Sequence, residues 1–103
     1  MTNEERVFNA LGDSTRRRVL KTLSAGPRAV IDISNELPVT RPAVSQHLKV
    51  LMDAGLVKVH REGTRRLYEI DPNGVLATRE YLDSMWNVAL HAFKSAAEKK
   101  GRK

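Results

Sequence analysis

Residues 40–49 read T-R-P-A-V-S-Q-H-L-K and present two different faces when they are arranged as a helix. Thr40 can cap that helix, and Pro42 falls in its first turn, where a missing amide hydrogen costs little. Val44 and Leu48 lie four residues apart and therefore share an apolar side. The opposite side carries Arg41, Ser45, Gln46 and Lys49. Glu, Lys and Ala would be sufficient for a helix face that is merely exposed to water. The guanidinium of Arg41 and the amide of Gln46 therefore indicate a surface that recognises a ligand.

The residues before this helix predict a shorter helix and a tight turn. Ile33 and Leu37 follow helical spacing over about residues 30–37, and Pro38 ends that segment. Only a few residues therefore separate two short helices. This spacing is typical of a helix-turn-helix, with a generic helical hairpin as the alternative.

Glycines divide the rest of the first half of the chain. Gly12, Gly26 and Gly55 each follow a segment with helical periodicity, and a left-handed glycine commonly ends a helix. We predict a second helix that follows Asp13 or Ser14 as its cap. The first predicted helix, over about residues 3–11, directs three apolar side chains inward: Val7, Phe8 and Leu11.

Beyond Gly55 the hydrophobic period changes from that of a helix to that of a strand. L-V-K-V-H-R and R-L-Y-E-I alternate apolar and polar residues on either side of E-G-T-R, which predicts a β-hairpin. Arg61, Arg65 and Arg66 cluster at its tip. For these arginines contact with phosphate or the minor groove is the preferred interpretation, and solvated charge is the alternative.

A final helix is predicted from about Gly74 to the lysine-rich end. A helix about 25 residues long would span roughly 37 Å, more than a small domain covers by itself. Its surplus apolar surface is expected to meet another subunit, whereas complete packing inside one chain and a ligand pocket against Trp86 are the alternatives. The apolar stripe follows helical spacing and consists of Leu82, Met85, Trp86, Ala89, Phe93 and Ala96.

The charge of the chain is high and local. The 103 residues include 18 Lys+Arg and 12 Asp+Glu, for a net charge of +6. Residues 37–66 hold six basic and two acidic side chains. A net charge of +4 therefore lies in the helix that follows Thr40 and in the hairpin. A positive net charge favours a polyanionic binding partner. Because the charge is concentrated in one segment, contact with phosphates is a better interpretation than a uniformly solvated basic surface.

Several classes of function are excluded by composition or spacing. The chain has no cysteine, which excludes disulfides and thiolate metal sites. It shows neither a signal-peptide pattern nor a membrane-spanning apolar run, so we expect a cytoplasmic protein without a membrane partner. The enzyme candidates are the pairs Ser45 with His47 and Asp83 with His91, and neither pair has a third residue to orient a base. We expect no enzyme and no cofactor.

The order helix, tight turn, helix and basic hairpin is that of a winged helix-turn-helix. We predict a mainly α fold with about five helices and a two-stranded wing, formed by residues 1–98, followed by a basic disordered tail at 99–103. In the major groove, Arg41 can match guanine and Gln46 can match adenine, whereas Ser45 and Lys49 are better placed for phosphates. A winged helix that binds a protein or RNA partner is the alternative.

Three runs of the sequence resemble the arsenic-repressor/SmtB-type (ArsR) family of bacterial winged-helix repressors. They are A-L-G-D-S-T-R-R-R-V-L-K-T-L, V-S-Q-H-L-K-V-L-M-D-A-G-L-V and R-E-G-T-R-R-L-Y, and the resemblance covers about residues 4–98. It implies a homodimer that is built from the first and last helices. This dimer would bind a near-palindromic inverted repeat in DNA and thereby repress transcription. The implied interface comprises Val7, Phe8, Leu82, Met85, Trp86, Ala89 and Phe93.

The resemblance, together with the charge and position of the side chains, indicates which residues approach DNA. By the pattern of the family, the recognition helix would present Thr40, Arg41, Ser45, Gln46 and His47, with Lys49 beside them. The wing would contribute Arg61, Thr64, Arg65 and Arg66. Arg16 and Arg17 are further candidates for backbone phosphate, although an intramolecular salt bridge to an acid such as Glu36 or Asp53 is an equal alternative.

The sequence departs from the metal-sensing members of this family. Those members carry a cysteine pair on the third helix, where this chain has apolar residues and Asp32. Others bind metal along the last helix, but Asp83, His91 and Glu98 are too few here for a convincing ligand set. We therefore expect no metal site, and the resemblance is to the cysteine-free branch of possible autorepressors, with any small-molecule effector unknown.

Overall fold

The computed structural model describes residues 2–101 as five α-helices and one β-hairpin. This architecture confirms the predicted mainly α fold with a two-stranded wing, and a 3-10 turn over Leu23–Ala25 follows the second helix. The elements in chain order are α1 Asn3–Leu11, α2 Ser14–Thr22, α3 Val30–Glu36, α4 Arg41–Asp53, β1 Val57–Glu62, β2 Arg65–Ile70 and α5 Pro72–Gly101.

Side-chain caps fix where the short helices begin. Of the two predicted caps for α2, Asp13 is the one used, and its carboxylate accepts a hydrogen bond from the Arg16 amide at 3.0 Å. That hydrogen bond is the main cause of the lowered pKa of Asp13; desolvation opposes it, and the charges of Arg16 and His47 add smaller lowering effects. Because the pKa is lowered in the folded chain, this stabilisation is present at neutral pH and is lost as the carboxyl is protonated in acid. Thr40 caps α4 by accepting from the Ala43 amide at 3.3 Å.

The glycines behave as predicted at two of three positions. Gly26 and Gly55 have positive φ angles of 125° and 78°. Gly12 has an ordinary helical φ of −73°, so the prediction of a left-handed residue there was wrong. The chain leaves α1 through the extended conformation of Asp13 instead, at φ −101° and ψ 126°.

The core lies where α1 to α4 meet the base of the hairpin. Val44, Leu48 and Leu51 are fully buried along one side of α4, as the periodicity predicted. Val7 is buried in α1 at 5% exposure, whereas the neighbouring Phe8 is 40% exposed. The prediction that Phe8 points inward was therefore wrong within this chain.

The hairpin is antiparallel and is joined to the body by a third short pairing. Its register runs from Val57 opposite Ile70 to Glu62 opposite Arg65, which leaves a two-residue loop that starts at Gly63 with φ 66°. Arg28, just before α3, exchanges two backbone hydrogen bonds with Tyr68 of β2, at 2.8 and 2.7 Å. These bonds attach the start of α3 to the side of the wing.

Helix α5 projects from the rest of the molecule. It starts at Pro72, two residues before the predicted start, because proline suits the first helical position. It continues to Gly101, past the predicted boundary at 98, while residues 102 and 103 lie outside the described part. The Cα radius of gyration is 18.2 Å, against about 13 Å for a compact domain of this size. Across residues 2–101 we find no helix sufficiently long and apolar to span a bilayer.

The base of α5 is held by a close contact between two glycines. A Cβ atom built on Gly74 would overlap the carbonyl oxygen of Gly55 and lie 2.6 Å from the carbonyl carbon. Next to this contact, the Asp71 amide donates to the Leu56 carbonyl at 2.9 Å. Gly74 is thus required inside the first turn of α5 for close backbone approach.

We expect Gly74→Ala to destabilise the protein by about 1–3 kcal/mol, because the added methyl group forces the base of α5 away from the turn after α4. Urea unfolding followed by circular dichroism measures this change. Gly101→Ala is the matched control, since a Cβ there meets open space. Equal stability of Gly74→Ala and the wild type would show that the glycine contact is dispensable.

Candidate nucleic-acid interface

The exposed side of α4 carries the polar residues that the sequence singled out. Arg41, Ser45 and Gln46 are exposed, as is Lys49 one turn later. The direction of Ser45, Gln46 and Lys49 is fixed by the other side of the helix, where Val44 and Leu48 are buried and α4 packs against α2 and α3. Residues 37–40 form the tight turn, so this pair of helices is a helix-turn-helix.

His47 is placed differently from the other predicted recognition residues. It is only partly exposed, and it lies towards the buried side of α4. Its charge contributes to the lowered pKa of Asp13 at the start of α2. The helical period places His47 beside Leu51 and away from Ser45, so His47 does not share the exposed face of Ser45 and Gln46.

The distal half of the hairpin is exposed and basic. Arg61 and Arg66 lie directly opposite each other across the two strands, and both are exposed. Like charges in this position repel, and between residues 2 and 101 neither arginine makes an ion pair. A polyanion bound at this face would relieve the repulsion.

Two other basic residues of the hairpin already have acidic partners. The Arg65 Nη2 atom lies 3.0 Å from Oδ2 of Asp32 in α3. The Lys58 Nζ atom lies 3.8 Å from Oε1 of Glu69, and Nδ1 of His60 lies 3.6 Å from the same oxygen. The basic side chains of residues 37–66 without an ion-pair partner in the described chain are Arg41, Lys49, Arg61 and Arg66.

The arginines at the start of α2 close the end of α1. Arg16 donates to the Asn9 carbonyl at 3.1 Å and lies 3.7 Å from the Asp13 carboxylate. Arg17 donates to the Leu11 carbonyl at 2.7 Å. Arg16 thus forms an intramolecular salt bridge, as the alternative prediction held, but its partner is Asp13 and not Glu36 or Asp53. Glu36 pairs with Arg28 instead.

Apolar side chains cover α5 without being buried. Trp86 is 65% exposed and Phe93 is 72% exposed, so the alternative that both pack wholly inside one chain was wrong. Phe8 of α1 contacts Tyr81 at a ring-centroid distance of 5.7 Å, which joins α1 to the base of this surface. Tyr81 was missed, although it lies one turn before Met85. Val7, predicted at the interface between subunits, is instead buried in its own chain.

The acidic and histidine side chains of α5 do not gather at one point. Asp83 lies 4.0 Å from Nε of Arg79, one turn earlier on the same helix. Over residues 2–101 no three side chains of His, Asp or Glu are close enough together to hold a metal ion.

The comparisons with known proteins agree on one family. The model for the arsR family of bacterial regulatory proteins matches residues 13–59. The HTH-type transcriptional regulator Rv2034 of Mycobacterium tuberculosis is 46% identical over 97 residues, which cover 94% of this chain and 91% of that protein. The transcriptional repressor SdpR of Bacillus subtilis is 34% identical over 65 residues, which cover 63% of this chain and 72% of SdpR.

A solved structure gives the same result. The homodimeric winged helix-turn-helix DNA-binding domain of Mb0332 from Mycobacterium bovis, a possible ArsR-family transcriptional regulator, superposes with a TM-score of 0.68. The two chains are 30% identical, and the match covers 82% of this chain and 79% of that one. The helix-turn-helix, the wing and the similarity to Rv2034 together establish that this chain belongs to the arsR family of bacterial regulatory proteins.

Proposed function

We propose that the protein is a homodimeric transcriptional repressor that binds a near-palindromic operator in double-stranded DNA in the cytoplasm. The observation that carries this proposal is the exposed polar side of α4, followed in the chain by a hairpin tip whose Arg61 and Arg66 make no ion pair within residues 2–101. The family consists of regulators, and SdpR is named a repressor. A bound dimer would block transcription by occupying the operator.

In this proposal the first two turns of α4 enter the major groove. Arg41 offers two parallel donors to the acceptors of guanine, and Gln46 offers a donor and an acceptor to adenine. Ser45 and Lys49 lie beside them and contact phosphates, and Thr40 remains at the cap, where its backbone approaches the duplex. His47 lies on a different side of α4 and is not proposed to contact bases.

The wing supplies contacts that do not depend on sequence. Arg61 and Arg66 neutralise phosphates beside the groove, and Thr64 at the loop adds a hydroxyl donor. Arg17 is a further candidate for backbone contact, because its side chain is exposed at the start of α2 and its hydrogen bond to the Leu11 carbonyl uses one guanidinium nitrogen, Nη1. Arg16 is committed to carbonyl and carboxylate partners inside the chain.

The second copy is proposed to cover Phe8 and the apolar stripe of α5. This stripe is exposed in one chain, and the Mb0332 domain is homodimeric. A two-fold dimer places two recognition helices about one DNA turn apart, roughly 34 Å, so the operator has two inverted half-sites. The interface consists of Phe8, Tyr81, Leu82, Met85, Trp86, Ala89 and Phe93.

We further propose that DNA binding does not respond to metal ions. The absence of cysteine removes the thiolate site on the third helix that metal-sensing relatives use. The oxygen and nitrogen ligands of α5 are dispersed along the helix, so no alternative site replaces it among the residues described. Zn²⁺ at micromolar concentration should leave the operator affinity unchanged in the presence and absence of a chelator.

The proposal is tested first by selecting bound sequences from a random duplex library at about 150 mM salt, where specific binding is distinguishable from phosphate attraction. Enrichment of an inverted repeat with half-sites about one turn apart would support a dimeric repressor. A folded protein that enriches no sequence would refute the proposal and favour a protein or RNA partner.

We expect Gln46→Ala to weaken binding to the selected operator by about 1–3 kcal/mol and to change binding to random DNA little, because only base readout is lost. Fluorescence anisotropy on both duplexes measures the difference. The control is Asn87→Ala, which removes an exposed amide from α5. Equal losses on the two duplexes would argue against base readout by Gln46.

We expect the double variant Arg61→Ala/Arg66→Ala to weaken binding to every duplex and to reduce the slope of log affinity against log salt by about two, since two phosphate contacts are lost. Titrations between about 50 and 200 mM salt measure the slope. Glu62→Ala removes an acid from the same tip and should not weaken binding. An unchanged slope in the double variant would place the wing away from phosphate.

We expect Trp86→Asp to convert the dimer to a monomer and to reduce operator affinity at least tenfold, because a charge would be buried in an apolar interface. Analytical ultracentrifugation measures the mass, and circular dichroism reports folding. Asn87→Asp introduces the same charge on the polar side of the helix and should remain dimeric. Phe93→Asp serves as a second variant if Trp86→Asp is unfolded, and a folded dimer in both would remove the α5 stripe from the interface.

A further inference from the structure

The distal half of the hairpin is held by very little. Residues 61–66 are exposed throughout, and beyond the β-ladder the side-chain hydrogen bond or ion pair that joins them to the rest of the described chain is Arg65–Asp32. A two-stranded hairpin is at best marginally stable without support from other elements. The angle of the tip therefore depends on whatever fastens it to the body.

The hairpin is fastened to α3 at two points along β2. At its base, Tyr68 pairs with Arg28 through two backbone hydrogen bonds. Nearer the tip, Arg65 pairs with Asp32, one turn into α3. The two points are three residues apart on the strand, or about 10 Å at the usual rise. Two fixed points set a direction, whereas the base alone would leave the tip free to swing.

The same helix leads directly to the recognition helix. Glu36, the last residue of α3, forms an ion pair with Arg28. Arg28 therefore connects the end of α3, as well as its start, to strand β2. The turn at residues 37–40 then leads into α4. Helix α3 is thus linked both to the wing, through these pairings with β2, and to the recognition helix, through the turn at residues 37–40.

Arg65 differs from its two basic neighbours in the face that it occupies. Successive residues of a strand point to opposite faces, so Arg65 is opposite Glu62 on one face and Arg66 is opposite Arg61 on the other. The second face carries two cations and no acid, whereas the first carries opposite charges and pairs with Asp32 of α3. Phosphates suit the purely cationic face.

We infer that Arg65 is a positioning residue whose ion pair with Asp32 holds the wing at the angle at which Arg61 and Arg66 meet DNA together with α4. This inference rests on the proposed DNA-binding function. It assigns Arg65 a role different from the phosphate contact that the sequence and the family resemblance suggested. It also gives Asp32, an acid, a favourable effect on binding to a polyanion.

The sign of the effect at Asp32 separates positioning from simple charge. Removal of an acid raises the net charge by one unit, which by long-range attraction alone strengthens DNA binding. Loss of the ion pair releases the wing, which weakens binding to the operator. Asp53→Ala is the charge-matched control, because Asp53 is an exposed acid at the end of α4 without an ion-pair partner among residues 2–101.

We expect Asp32→Ala to reduce operator affinity about two- to fivefold, the range that a surface ion pair supports, while Asp53→Ala leaves affinity unchanged or raises it. Fluorescence anisotropy with the selected operator measures both. If Asp32→Ala strengthens binding as Asp53→Ala does, Asp32 acts only through its charge and the inference is wrong.

A charge swap distinguishes positioning from direct contact at Arg65. Arg65→Glu alone should weaken binding, and the double variant Asp32→Arg/Arg65→Glu should return to within about twofold of the wild type, since the pair is restored with its polarity reversed. If Arg65 itself contacts phosphate, glutamate at that position repels DNA and the double variant stays as weak as Arg65→Glu. That result would overturn the inference.

A measurement without DNA separates this inference from the proposed function. Because the chain has no cysteine, Thr64→Cys gives a single site for a spin label at the hairpin loop. The electron paramagnetic resonance spectrum should show faster motion of the label in the Asp32→Ala background, and the charge swap should restore the slower motion. An unchanged spectrum would show that the Arg65–Asp32 pair does not hold the wing. If the pair slows the label but the protein selects no DNA sequence, only the proposed function is contradicted.

Discussion

The burial of one side of α4 is the constraint on which the rest of the structure depends. Val44, Leu48 and Leu51 are fully enclosed by the neighbouring helices. Because a helix has fixed angular spacing, their burial sets the direction of every other side chain on α4. Ser45 and Gln46 face solvent as a result of core packing, so the free energy that stabilises the fold also orders this exposed polar surface. Little further ordering is then needed when DNA binds.

The distribution of ion pairs refines what net charge alone suggests. The segment of residues 37–66 carries a net +4, yet its basic groups are not equivalent. Lys58 and Arg65 have carboxylate partners, whereas Arg61 and Arg66 oppose each other at the tip. Within the hairpin, the cations without an acidic partner among residues 2–101 lie on one strand face, which concentrates the attraction of the wing for polyanions on that face.

The sequence predicted the elements well because their determinants are local. Apolar periodicity placed α3 and α4, proline and threonine marked the start of α4, and a period of two marked the hairpin. Prediction failed where partners are distant in sequence. Asp32 and Arg65 are 33 residues apart, and no periodic pattern indicates that they meet. Similarly, the contact between Gly55 and Gly74 depends on how α5 docks, so Gly74 was interpreted only as a helix start.

Helix α5 has no buried side chain in a single chain, although it accounts for 30 of the residues. Helical propensity alone gives such a segment little stability in water, so its order depends on the apolar surface that covers it. With a second copy as the cover, completion of the fold becomes a bimolecular event, and thermal stability rises with protein concentration. Under the proposed function, the amount of protein would then set both the occupancy of the operator and the fraction of chains folded well enough to occupy it.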